Sequence, residues 1–84
     1  LAGPIPPELG RLTALVDLRL WGNQLSGHIP PQLGDLSALT HLYLNSNKLD
    51  GAIPAQLGAL IKLASLDLSH NQLSGERLIE LEHF

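Results

Sequence analysis

The chain repeats itself every 24 residues, and no other feature restricts its fold so tightly. Shifted by that interval, Leu9, Leu33, Leu57 and Leu81 coincide, as do Leu12, Leu36 and Leu60, with Phe84 in the same register. Leu15, Leu39 and Leu63 follow, then Leu18, Leu42 and Leu66, then Leu20, Leu44 and Leu68. Asn23, Asn47 and Asn71 share one column, and Leu1, Leu25, Leu49 and Leu73 another. Gly3, Gly27, Gly51 and Gly75 form the next, and Ile5, Ile29 and Ile53 each precede Pro6, Pro30 or Pro54. A unit this short cannot bury its own apolar side chains. Successive units must therefore stack, each covering its neighbour.

The spacing within a unit predicts its local structure. In "VDLRLWG" (16–22) Leu18 and Leu20 alternate with polar residues, the pattern of a strand with one face inward. Leu9, Leu12 and Leu15 recur every third residue, which suits a 3₁₀ or short helical turn, and Pro7 and Pro31 stand where such a turn can open. Asn23, Asn47 and Asn71 fall where the strands end, placing their side-chain amides to satisfy backbone groups that turn out of a sheet. Gly27, Gly51 and Gly75 permit a bend, and Pro30 and Pro54 limit the backbone that follows. These columns are structural. The expected fold is an α/β-type solenoid with a parallel sheet, one coil per repeat.

Composition removes several classes of function. There is no Cys, so neither disulfides nor thiol chemistry is available, and the redox compartment stays open. A net charge of −3 with five Lys and Arg argues against nucleic acid. No apolar run is long enough to insert in a membrane, since Lys62 interrupts "ALIKLA", and no signal peptide is visible. His28, His41, His70 and His83 lack metal-ligand spacing, and "GNQLSG" (22–27) lacks the Lys-Ser/Thr of a phosphate loop. No metal or cofactor is expected. The chain contains no Met and starts at Leu1, so a segment of a longer protein is the expectation.

With "LAGPIP" (1–6), "LSGHIP" (25–30) and "LDGAIP" (49–54), the chain resembles the leucine-rich repeat family, and within it the plant-type subclass marked by L-x-G-x-I-P. The resemblance runs from Leu1 to Gly75 and implies a second layer of short strands behind the concave sheet. It makes residues 1–84 one solenoid of about three and a half repeats. Residues 76–84 diverge, with Arg77 and Leu78 in place of Ile-Pro, and "ERLIELEHF" is a candidate helical cap or the start of a fourth unit, since Leu81 and Phe84 keep the register. Family members include receptor-kinase ectodomains and polygalacturonase inhibitors, which bind proteins, peptides or small hormones. Extracellular members usually carry Cys-paired caps and glycosylation sites. This chain has no Cys and no N-x-S/T sequon, so its compartment stays open between a receptor ectodomain and an intracellular scaffold.

In that family the solvent face of the concave strands usually binds the partner. Here alternation gives that face Asp17, Arg19 and Trp21 in the first unit, His41, Tyr43 and Asn45 in the second, and Ser65, Asp67 and Ser69 in the third. Trp21, the single Trp, is the leading contact candidate, because exposed aromatic residues and Arg are enriched in binding hot spots. Asp17, His41 and Ser65 share one column and have the residue types of a hydrolase triad. That reading is rejected, because a triad also needs an oxyanion hole and a water-excluding pocket. The expected function is recognition of a protein or peptide on the concave face. The alternative is a spacer within a longer solenoid, with no partner of its own. Leu15, Leu18 and Leu20 lie uncovered on the outer side of the first coil unless "LAGPIPPELG" (1–10) folds over them, and uncovered ends predict marginal stability or self-association.

Overall fold

A computed structural model of the chain describes residues 1–74. Each coil runs through the same three pieces. Strands β2 (Asp17–Arg19), β4 (His41–Tyr43) and β6 (Ser65–Asp67) form one parallel sheet. Strands β1 (Ala2–Pro4), β3 (Gln24–His28), β5 (Lys48–Gly51) and β7 (Gln72–Leu73) form a second, also parallel. The 3₁₀ turns η1 (Pro7–Arg11), η2 (Pro31–Asp35) and η3 (Ala55–Ala59) close the coils at the back. The Gly75 bend and the candidate cap over 76–84 lie outside the described residues.

The leucine columns account for the core. From the first sheet Leu18, Leu42 and Leu44 point inward, and from the second Leu25, Leu49 and Ile29. Leu33, Leu36, Leu39, Leu57, Leu60 and Leu63 meet them from the turns, all buried. Each fully buried Leu stabilises the coil by roughly 1.5–3 kcal/mol. Pro6, Pro30 and Pro54 stand just before the 3₁₀ turns with φ between −68° and −64°, a value their rings already impose. The chain is thereby aimed into the turn before the turn forms.

The asparagines do more than end a strand. Asn47, 9% exposed, accepts a hydrogen bond from the Leu25 N–H at 3.1 Å. Its amide donates to the carbonyls of Leu44 and Asn45 in its own coil and to that of Leu20 in the coil before. Asn71 repeats the arrangement with the Leu49 N–H and the carbonyls of Leu44, Leu68 and Ser69. Asn23 accepts from the Leu1 amino group and donates to Leu20 and Trp21. The column stitches each coil to its neighbour.

Three features depart from a simple 24-residue lattice. First-sheet partners lie 24 residues apart, as Asp17 and His41, but second-sheet partners lie 22 apart, as Ala2 and Gln24. The back strands therefore slip two positions per coil, and His28 comes beside Asp50, its Nδ1 3.5 Å from the carboxylate. Gly22, Ser46 and His70, the residues before each Asn, adopt left-handed φ of 71°, 60° and 55°. Only the first is the residue type that prefers that region. Thirdly, the opening segment covers the first coil, the condition on which the exposure of its leucines depends. Leu18 is buried and Leu15 and Leu20 are half-buried, because residues 1–11 supply that coil with its own back strand and turn. The exposed apolar residues on that flank are Leu12 and Val16, each 51% exposed.

Candidate functional site

The concave sheet carries its outward side chains in the expected columns. Cα pairing sets Asp17 beside His41 and His41 beside Ser65, and likewise Arg19, Tyr43 and Asp67. The ladder continues past the strands, with Gly22 N–H on the Asn45 carbonyl at 3.1 Å and Ser46 N–H on that of Ser69 at 3.0 Å. Trp21, Asn45 and Ser69 thus make a third column. Across the three coils lies an open hollow of about 510 Å³ lined by Arg19, Trp21, Tyr43, Asn45, Ser65 and Asp67, with Leu66 at its floor.

The polar groups are ordered by one another. The Arg19 guanidinium meets the Asp17 carboxylate through two bonds, Nε to Oδ1 at 2.9 Å and Nη2 to Oδ2 at 3.0 Å. That hydrogen bonding holds the Asp17 carboxyl below its ordinary range and raises the Arg19 guanidinium above its own. Arg19 also lies over the Tyr43 ring, 5.1 Å from its centroid, within cation–π range. The Tyr43 hydroxyl is 2.7 Å from Ser65 Oγ, and the His41 ring stands edge-on to Tyr43. On the third coil Ser69 donates both its hydroxyl and its N–H to Asp67 Oδ1. Those two bonds hold the Asp67 carboxyl below its ordinary range.

The triad column does not assemble as a relay. Asp17 is engaged by Arg19, His41 Nδ1 is 2.8 Å from Thr40 Oγ1, and Ser65 is engaged by Tyr43. Neighbouring in register, the three side chains serve three different partners. Among the described residues no group of three His, Cys, Asp or Glu could hold a metal ion. No described helix is long and apolar enough to cross a membrane.

Six of the nine candidate contact residues therefore line one hollow. The other three support it: Asp17 holds Arg19, His41 packs on Tyr43 and Ser69 holds Asp67. Trp21 is 57% exposed and its indole N–H makes no hydrogen bond among the described residues. Sequence reasoning passed over Thr40, whose hydroxyl donates to the Val16 carbonyl while ordering His41. Its place immediately before a strand, where edge backbone needs partners, was the available signal.

A family model described as "Leucine rich repeat" matches residues 11–73. No curated protein matches the chain. Among solved structures, the BIR3–SERK2 complex from Arabidopsis thaliana is 45% identical with a TM-score of 0.95, covering 100% of this chain and 45% of that one. The plant peptide hormone receptor RGFR1, solved in complex with RGF2, is 37% identical with a TM-score of 0.94, over 96% of this chain and 13% of that one. A plant ice-binding protein is 45% identical with a TM-score of 0.83, over 87% of this chain and 24% of that one. The chain spans less than half the length of each of these structures.

Proposed function

Because the chain belongs to the leucine-rich repeat family, we propose that it is a recognition module, part of a receptor-like solenoid that binds a protein or peptide across its concave sheet. The observation that carries this reading is the hollow itself. It crosses three coils, it holds pre-ordered polar groups, and its largest side chain, Trp21, stands out into solvent. Such a surface has little side-chain entropy left to lose on binding, apart from Trp21, whose rigid ring costs little to fix. The similarity to a plant peptide hormone receptor solved in complex with RGF2, and to a chain of the BIR3–SERK2 complex, supports the same reading. The similarity to an ice-binding protein shows that one coil geometry serves unrelated work, so the argument rests on the face and not on the fold. Nothing in this reading calls for chemistry on the bound partner.

The test is selection of displayed peptides on the immobilised chain, with the affinity of the selected peptides for each variant measured by isothermal titration calorimetry. Trp21→Ala is expected to weaken the selected peptides by about tenfold or more. Lys48→Ala on the back sheet is expected to leave them unchanged. Equal binding by the wild-type chain and the Trp21 variant would remove the concave face from the account.

We also propose that the chain associates through its first coil, a property favoured by Leu12 and Val16 on the exposed flank. Sedimentation velocity across a concentration series should then show a rising mass, reduced in a Leu12→Glu/Val16→Glu double variant. A concentration-independent monomer would contradict it.

A further inference from the structure

We propose that the concave hollow selects peptides carrying a positively charged side chain, seated on Asp67, with an apolar or aromatic neighbour laid on Trp21. The proposal rests on the concave-face reading above and adds to it the chemistry of the ligand. It follows from which groups in the hollow are already used and which are not.

Arg19 is the cation lining the hollow, and its Nε and Nη2 already face Asp17 while its plane covers Tyr43. Its outer N–H groups remain open among the described residues, but an incoming anion would meet a charge that the aligned Asp17 carboxylate already balances. Asp67 stands in the opposite condition. Ser69 occupies its Oδ1, and its Oδ2 makes no hydrogen bond among the described residues. It is ionised, half-buried and opens into the hollow. With Asp17 and Arg19 neutralising each other, Asp67 leaves the hollow with one uncompensated negative charge. A cationic side chain there gains a charge-assisted hydrogen bond, whereas a carboxylate meets like charge.

The second half of the pattern comes from Trp21. It lies two strands away from Asp67 and one alternate position along, a diagonal of about 12 Å at ordinary parallel-strand spacings. An extended peptide covers that distance in about four residues, at roughly 3.3 Å each. Between the two sites the Asn45 side chain makes no hydrogen bond among the described residues and faces the same hollow, where it can pair with the peptide backbone. The expected ligand is an extended segment with an apolar residue and a Lys or Arg about four positions apart.

The experiment uses the whole chain and blocked pentapeptides, acetyl-Phe-Ala-Pro-Ala-Lys-amide and its analogues ending in Gln or Glu, with binding followed by isothermal titration calorimetry, which reads the Trp21→Ala variant as well as the wild type. The Lys peptide should bind about tenfold tighter than the Gln peptide, and the Glu peptide weaker still. Asp67→Asn, which keeps an oxygen for Ser69, should bind Lys and Gln peptides equally, with an unchanged circular dichroism spectrum. Should that variant fail to fold, salt gives the same answer on the wild-type chain. Raising sodium chloride from about 50 to about 500 mM should erase most of the preference for Lys. Binding that depends on Trp21 but favours Glu, or ignores charge, would overturn the inference and leave the concave-face reading standing. Binding by none of the peptides, or binding indifferent to both Trp21→Ala and Asp67→Asn, would overturn both.

Discussion

Replacing Asn47 by Ala is expected to lower the stability of the chain by about 3 kcal/mol, a large part of the roughly 5–10 kcal/mol available to a domain this size. The loss has identifiable sources. The buried Leu25 N–H loses its acceptor, the carbonyls of Leu20, Leu44 and Asn45 lose a donor, and a cavity opens between two coils. Urea denaturation followed by circular dichroism measures it. Asn23→Ala is the internal comparison. Asn23 is less buried, and on its outer side it meets only the Leu1 amino group, so about 1 kcal/mol is expected. Asn47→Asp distinguishes shape from hydrogen bonding. Its carboxylate still accepts from Leu25 but confronts carbonyls where the amide donated. The new carboxyl should have a raised pKa in the folded state. Its destabilisation is then fully present at neutral pH and eases as pH falls through that value, where the protonated group can donate. Equal losses for Asn23→Ala and Asn47→Ala would mean that the ladder between coils contributes nothing beyond the local strand end.

Gly34→Ala should cost about 2–3 kcal/mol for the addition of a single methyl group. A Cβ on Gly34 would fall inside contact distance of the Gln56 carbonyl oxygen and 2.9 Å from the carbonyl carbon. The obstacle is backbone, held by the next 3₁₀ turn, and it cannot swing aside as a side chain would. Gly10 meets the Gln32 carbonyl in the same way one coil earlier. The control is Gln32→Ala, an exposed change on the same turn, which should stay within about 0.5 kcal/mol of wild type. If Gly34→Ala melts like the control, the turns are packed more loosely than the geometry indicates.

Those two residues also mark what could and could not be read without coordinates. The Leu, Asn and Ile-Pro columns gave the coil outright, because apolar periodicity reports burial directly. Gly10 and Gly34 share the same period and were equally visible as a column, but their reason is a close approach through space that no local pattern carries. The two-residue slip of the back sheet has no counterpart in a strict 24-residue repeat, since it depends on how coils tilt. On the concave sheet, alternation sets Asp17, His41 and Ser65 in one column and Arg19, Tyr43 and Asp67 in the next, as the register has them. What it left unspecified was which of them are already satisfied. Both closures join residues two apart on one strand face, Arg19 with Asp17 and Ser69 with Asp67. Period-two neighbours of matching chemistry were therefore the clue.

The close approach at Gly10 and Gly34 has a further consequence, for curvature. On the concave side the hydrogen-bonded ladder holds successive strands about 4.8 Å apart, whatever side chains they carry. The bend of a solenoid is set by how much wider its rear is than its front. With no Cβ at Gly10 or Gly34, the rear closes until each glycine meets the backbone of the next turn, and the inner face stays broad. A bulkier residue at those two positions would spread the rear, tighten the arc and crowd Trp21 toward Asp67 without touching either. The width of the concave sheet is thus governed from the opposite side of the molecule.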